Sequence, residues 1–257
     1  MTSYAPAVRA RRTALAVVLG AQLALGLTGC AGDDPDAGTN GIGKLSAEEI
    51  DTRARAAADA ATAVHLAGTL ISKDGSYTLD MRLNADGGTG SVTSKENTFA
   101  VLRVGDDLYL KADAAFWSAE QDGKGAAGTG EDGDAEAAEK LDGKYVKVPA
   151  DDPTYKRLRG FTEKDTLLDG VLSLHGTVNK GDRDRISGVP TIQILGGKGE
   201  GGALDVALKG TPYPVRVARG GGGGTVTLAD WGRSFELAAP PEDDTVDYGG
   251  QLPKTSG

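Results

Sequence analysis

The 257-residue sequence contains one cysteine, Cys30, and two histidines, His65 and His175, as its thiol and imidazole groups. One thiol cannot form an intramolecular disulfide, an iron–sulfur cluster or a thiolate-rich zinc site. Each histidine lies beside apolar residues in a regular element, without a nearby Gly-x-Ser-x-Gly motif. We therefore interpret both histidines as surface or packed residues, and we predict neither a catalytic site nor a metal site.

Carboxylates outnumber cations, since 37 Asp and Glu against 28 Lys and Arg give a net charge of -9. This balance disfavours a nucleic-acid partner, because phosphate binding needs a basic surface. The acids Asp106, Asp107, Asp151 and Asp152 fall in predicted turns, where solvated carboxylates are common. The acidic runs lack the spacing of an EF-hand, and the glycine-rich runs lack the Ser or Thr of a phosphate-binding loop. We predict no cofactor.

Cys30 ends a segment with the zones of an export signal. Three arginines up to Arg12 precede the uncharged, apolar residues 13–26, a stretch too short to span about 30 Å of hydrocarbon as a free helix. Residues 27–30, Leu-Thr-Gly-Cys, resemble the lipobox of bacterial lipoproteins, in which a peptidase cuts before the cysteine and the thiol carries diacylglycerol. The alternatives are an ordinary signal peptide with a coincidental cysteine and a buried apolar helix.

We predict a signal peptide over residues 1–29 and a lipid anchor on Cys30. The anchor would hold the protein at the extracytoplasmic face of the cell membrane, and the choice between Sec and twin-arginine export stays open. Removing residues 1–29, which carry three arginines and no acid, changes the net charge from -9 to -12. Residues 30–44 are polar and glycine-rich, which predicts a disordered tether.

The first folded element is a helix over residues 47–63. Ser46 and Glu49 have the spacing of a capping box, and Leu45 and Ile50 that of a hydrophobic staple. From His65 onward the hydrophobic period changes to two, which predicts strands separated by Gly-, Asp- and Asn-rich turns. The predicted strands are 64–72, 76–86, 90–94, 98–104, 108–112, 144–148, 191–195, 203–209, 213–219 and 225–229. The short connections favour antiparallel hairpins over parallel crossovers.

Two segments interrupt the strands. Residues 120–140 are rich in Gly, Ala and acids and predict a solvated, flexible insertion. Residues 152–174 return to helical spacing, with Pro153 in the first turn and Thr162 as a cap before a second amphipathic stretch. We predict one domain over residues 45–248, followed by a disordered tail over residues 249–257.

This order of parts resembles the actinobacterial LppX/LprG-type lipoproteins, which are relatives in fold of the LolA and LolB lipoprotein carriers. The resemblance rests on short motifs spread over most of the domain: Val64, His65 and Leu66 after the first helix; residues 107–110 before Phe116, Trp117 and Ser118; residues 186–192; and residues 228–232 running to Pro240 and Pro241. It implies a half-barrel sheet around helices, with an apolar cavity that binds acyl chains of glycolipids or phospholipids.

We therefore predict an α+β fold in which a curved antiparallel half-barrel sheet packs on two or three helices, as in LolA. Strand parity nominates cavity-lining residues, and their alternative role is plain core. The nominated residues are Tyr77, Leu79, Met81, Leu83, Phe99, Val101, Leu108, Leu110, Val206 and Leu208.

The predicted function is a non-enzymatic, membrane-tethered lipoprotein that holds lipid acyl chains for transfer or sensing in the cell envelope. The alternative is an accessory or sensor lipoprotein whose filled core supports a surface for an envelope protein partner. A void lined by the nominated residues would favour the carrier, and a tightly packed interior would favour the accessory protein.

Overall fold

The computed structural model describes residues 36–72, 75–95, 97–117 and 138–247. The predicted signal peptide, Cys30, most of the acidic insertion and the C-terminal tail lie outside these ranges. Among the described residues, no helix is both long and apolar enough to cross a bilayer.

Three helices lie in the described ranges: α1 (Ala47–Ala60), α2 (Pro153–Thr162) and α3 (Lys164–Leu172). Short helical turns also occur at residues 114–117 and 138–141. The Ser46 hydroxyl accepts a hydrogen bond from the Glu49 N–H at 3.2 Å, and a Glu49 carboxylate oxygen accepts one from the Ser46 N–H at 3.0 Å. The predicted capping box therefore forms and fixes the start of α1.

The described residues form one open sheet of twelve strands. All neighbouring strands are antiparallel except β12 and β6, which pair in parallel. The spatial order is β12-β6-β5-β4-β3-β2-β1-β11-β10-β9-β8-β7. The strands are β1 (Ala63–Ser72), β2 (Gly75–Asn84), β3 (Gly87–Thr93), β4 (Thr98–Val104), β5 (Asp107–Ala112), β6 (Tyr145–Val148), β7 (Val178–Ile186), β8 (Val189–Gly196), β9 (Ala203–Ala207), β10 (Pro214–Ala218), β11 (Gly224–Ala229) and β12 (Thr245–Asp247).

The sequence did not predict the two edge strands, β7 and β12. β7 has the sequence VNKGDRDRI, in which only the two ends are apolar, so the alternation that marks a half-buried strand is absent. β12 is three residues long. Charged side chains suit an edge, because they discourage pairing with another chain.

The predicted tether is wrong for its last part, since residues 36–44 pack against the domain. The Asn40 N–H donates to the Leu208 carbonyl at 2.8 Å, and its side-chain amide donates to the carbonyls of Ala207 and Gly210. Ile42 is only 2% exposed. Ile42 is the one large apolar side chain in a polar segment, and burying it orders the backbone around it.

The predicted cap at Thr162 is also wrong. The break between α2 and α3 falls at Glu163, and Thr162 is the last residue of α2. Its hydroxyl is buried, donates to the Arg159 carbonyl at 3.1 Å and accepts from Arg103. The cap that does form is Asp152, whose carboxylate accepts from the Thr154 N–H at 2.7 Å at the start of α2.

The helices cover one face of the sheet, which we call the inner face. Its buried apolar side chains form two clusters within the described residues. The large cluster packs α1 and α3 on β1–β3 and β8–β11. The small cluster packs α2 and the turns at 114–117 and 138–141 on β4–β6. Phe99 on β4 contacts both clusters.

Candidate functional site

The inner face is the candidate site, because it holds all ten side chains that strand parity nominated. Six of them belong to the large cluster: Tyr77, Leu79, Met81 and Leu83 on β2, Val206 on β9, and Leu208 just after β9. Val101, Leu108 and Leu110 lie in the small cluster, and Phe99 joins the two. Sequence alternation therefore predicted the shared face, but not its division into two clusters.

Most of the nominated side chains are close-packed. Eight of them are between 0% and 3% exposed, and only Tyr77 and Phe99 are partly exposed. A side chain that borders a void wide enough for water keeps some accessible surface. Five of the nominated residues keep none: Met81, Leu83, Val101, Leu108 and Val206. In this packing these residues are core, so their role as ligand contacts stays a prediction.

Partly exposed apolar side chains gather at one end of the inner face. Leu70 on β1 pairs directly with Tyr77 on β2, and Phe99 on β4 lies at the level of the next inner residue, Leu79. We call Leu70, Tyr77 and Phe99 the rim patch. The nomination missed Leu70, although its parity in the predicted strand 64–72 places it on the same face as Leu66.

The two clusters meet along a line that follows β3 from the rim patch. We call this line the seam. Val92 belongs to the large cluster, whereas Val101, two strand positions further along the neighbouring strand, belongs to the small one. The other inner positions of β3 are Gly90, opposite Val101, and Gly88, opposite Arg103. Because these glycines have no side chains, the Met81 thioether lies over β3. A Cβ added to Gly90 would lie 2.6 Å from the Met81 sulfur.

Aromatic side chains line the small-cluster side of the seam. The Phe99 and Phe116 rings lie 5.6 Å apart, and the Phe116 and Trp117 rings meet edge to face at 5.1 Å. The Trp117 indole N–H is buried without a hydrogen-bond acceptor in the described structure. A buried donor without an acceptor costs free energy.

Cations from other elements hold the carboxyl ends of the helices. Arg103 on β4 donates to the Thr162 carbonyl of α2 at 2.9 Å, and Lys164 donates to the Asp59 carbonyl of α1 at 3.3 Å. On α3, the Leu172 carbonyl accepts from Arg55 and the Gly170 carbonyl accepts from Arg219 at 2.7 Å. These bonds satisfy terminal carbonyls and place positive charge at the negative ends of the helix dipoles.

Within the described residues, neither histidine has the geometry of a Ser–His–Asp triad. The His65 Nε2 lies 2.7 Å from a carboxylate oxygen of Asp80 on the outer face, and Asp80 is 64% exposed. Ser91 lies opposite Asp80 on β3, so the carboxylate stands between the imidazole and the hydroxyl. A catalytic triad needs the imidazole in the middle. His175 is exposed, and its backbone N–H donates to the Gly201 carbonyl at 2.9 Å.

Two of the turn carboxylates, Asp107 and Asp152, take structural roles. Asp107 accepts from the Lys147 ammonium at 2.8 Å, and this hydrogen bond raises the pKa of Lys147. Asp152 caps α2, as described above. Within the ranges that the structure covers, no three His, Cys, Asp or Glu side chains are grouped so as to hold a metal ion.

The fold and the inner face define a class: an α+β protein whose open antiparallel sheet packs its apolar face on helices, as the sequence predicted. Comparison with solved structures finds LprF from Mycobacterium bovis, with 16% identity and a TM-score of 0.49 over 76% of this chain and 96% of that one. It also finds the Mycobacterium tuberculosis lipoprotein LppX, with 15% identity and a TM-score of 0.42 over 74% of this chain and 97% of that one.

LppX is one of the two proteins for which the resembled group is named. An uncharacterised conserved protein from Thermus thermophilus is also similar, with 11% identity and a TM-score of 0.37 over 78% of this chain and 98% of that one. No protein-family model matches the chain, and no curated protein matches it by sequence.

Proposed function

We propose that this protein is an exported lipoprotein, anchored through diacylglyceryl-Cys30, whose domain binds lipid acyl chains along the seam between the two core clusters. The observation that carries the proposal is the seam itself. One apolar sheet face supports two separate clusters, and the boundary between them is marked by glycines and leads to the partly exposed rim patch.

An acyl chain would enter at the rim patch and part the clusters over β3. Met81 and Phe99 are the side chains in its way. Methionine is unbranched and polarisable, so it repacks at low cost, and Phe99 would keep an apolar neighbour on either side. Each methylene that the chain removes from water contributes about 0.8 kcal/mol. This burial drives binding without a catalytic group.

Phe116 links the rim residue Phe99 to Trp117, whose buried indole N–H would donate to a carbonyl or hydroxyl oxygen of the lipid. Hydrogen bonding there would satisfy a group that the described structure leaves without an acceptor. The site thus combines a long apolar seam with one polar contact, which suits a lipid.

The test uses the mature chain with Cys30→Ser, purified without its own lipid anchor. We expect lipid extraction and native mass spectrometry to find bound lipid, and fluorescent fatty-acyl probes to bind. A chain that carries no lipid and refuses these probes would overturn the proposal.

Two neighbouring residues of β1 supply a matched pair of variants. Leu70 points to the inner face, whereas Ile71 points to the outer face and is 50% exposed. We expect Leu70→Ser to weaken binding of the acyl probe and Ile71→Ser to leave it unchanged. Equal effects would mean that the probe does not enter at the rim patch.

The close-packed interior favours a second candidate function, a lipoprotein that acts through a protein-binding surface and takes up no lipid. For this role we expect deletion of residues 120–137 to abolish partner crosslinking while the domain stays folded. In the lipid-binding role, the same deletion leaves uptake of the acyl probe intact.

A further inference from the structure

The N-terminal segment of the domain is pinned to the β7 edge of the sheet. The Asp36 carboxylate accepts from the Arg183 guanidinium at 2.5 Å, and the Lys180 ammonium donates to the Gly43 carbonyl at 2.9 Å. Asp36 is 8% exposed in its side chain. Together with the Asn40 bonds and the burial of Ile42, these contacts fix the path of residues 36–44.

The pinned segment begins close to Cys30 in the sequence. Only residues 31–35 separate Cys30 from Asp36. Six residue steps of fully extended chain span about 20 Å. A compact domain of about 200 residues is roughly 40 Å across. A lipid on Cys30 would therefore hold the β7 edge within about half a domain diameter of the membrane, because six residue steps are too short to pass around the domain.

The charges of β7 suit a position beside lipid headgroups. The strand carries Lys180, Arg183 and Arg185 against Asp182 and Asp184. With Asp36 paired to Arg183, the charges at this edge balance, in a chain whose predicted mature form carries -12. Arginine donors match phosphate oxygens, and alternating charges suit a surface with both phosphate and ammonium groups. Arg185 is exposed at the end of the strand.

We propose that the β7 edge is the membrane-facing surface of this protein and that its partner is the phospholipid headgroup layer into which Cys30 is anchored. This inference rests on the proposed lipidation of Cys30. β1, which carries Leu70, lies five strand positions from β7. At about 4.8 Å for each position, Leu70, the member of the rim patch nearest to β7, lies about 24 Å along the sheet from the membrane-facing edge. The rim patch is thus free to meet a partner while the domain stays anchored.

The test uses the mature lipidated protein on vesicles of phosphatidylcholine and phosphatidylglycerol that contain an acceptor dye on the headgroup. Asp182→Cys places a donor dye on β7, and Lys147→Cys places one on β6 near the opposite edge of the sheet. The lipidated Cys30 has no free thiol, so each introduced cysteine is labelled alone. We expect energy transfer to the headgroup dye to be clearly more efficient from position 182 than from position 147.

A control variant combines Asn40→Ala with Arg183→Ala, which releases residues 36–44 and lengthens the connection between Cys30 and the domain. We expect the difference between the two positions to shrink in it. Equal transfer from both positions in the otherwise unaltered protein would overturn the inference while leaving the anchor in place. Vesicle binding no better than that of a Cys30→Ser chain would overturn the anchor, and the inference with it.

Discussion

Arg103 shows how a charged side chain becomes part of an apolar face. It is 6% exposed on the inner side of β4, and its guanidinium donates to the Thr162 hydroxyl, the Thr162 carbonyl and the Gly105 carbonyl. Its charge lies at the negative end of the α2 dipole. Three hydrogen bonds and the dipole offset the loss of hydration, so Arg103 joins α2 to the sheet.

Replacing Arg103 by Met should therefore destabilise the domain by about 2 kcal/mol, because buried carbonyls would lose their donor. Chemical denaturation measures this as a lower unfolding midpoint. The matched control is Arg159→Met on α2, where the ion pair with Glu163 is exposed and long at 3.8 Å. That change should stay within about 0.5 kcal/mol. Equal losses for the two variants would contradict the role given to Arg103.

Glu49 makes the stability of the domain depend on pH. The hydrogen bond from the Ser46 backbone N–H, with that of the Ser46 side chain, lowers the pKa of Glu49 below its ordinary value of 4.5. A carboxyl with a lowered pKa stabilises the folded state above the ordinary value, and this contribution is lost as the pH falls through the lower, folded value.

We therefore expect the native chain to be more stable than the Glu49→Gln variant above pH 4.5, with the difference vanishing below the folded pKa. Denaturant titrations at several pH values measure it. Glu48→Gln is the control, since Glu48 is in the same turn but outside the capping box. A difference of the same size and pH dependence at Glu48 would assign the effect to the helix dipole alone.

At the scale of elements, the glycines of β3 decide how closely α2 approaches the sheet. A Cβ on Gly88 would lie 2.4 Å from a Leu83 methyl carbon and 3.2 Å from the Thr162 carbonyl oxygen at the end of α2. The missing side chain makes room for the end of the helix. This close approach allows Arg103 to reach the Thr162 carbonyl.

Gly88→Ala should cost about 1–3 kcal/mol, because the added methyl overpacks this contact. Gly170→Ala should do the opposite. Gly170 is a helical residue of α3 with no atom within 4 Å of an added Cβ, so alanine should stabilise the domain by about 0.5–1 kcal/mol. Thermal unfolding of both variants checks the two signs, and a stabilising Gly88→Ala would refute the close approach.

At the scale of the whole molecule, residues 36–44 belong to the fold. Ile42 sits in the large cluster between the start of α1 and the sheet. Ile42→Ala should therefore destabilise the domain by about 3 kcal/mol, the range seen for buried aliphatic side chains. Ile71→Ala, at a half-exposed isoleucine, should cost far less. A disordered tether would give no loss at Ile42, so chemical denaturation separates the two descriptions.

The sequence by itself determined the local elements and the shared face of the nominated residues. Capping residues and the period of two are local properties of the chain. They predict the start of α1, nearly all strands of the sheet and the inner orientation of Leu79, Met81 and Leu83. The sequence did not predict β7, because the charged residues of that strand remove the alternation. It did not predict the burial of Ile42, because one apolar residue in a polar run gives no periodic signal.

Only the tertiary structure decided whether the inner face is filled or hollow. Parity places a side chain on a face, but the space above it depends on how far a helix stands from the sheet. That distance is set by Gly88, by Arg103 and by the Thr162 carbonyl, which lie far apart in the sequence and meet only in the folded domain. The division into two clusters with a seam between them has the same origin.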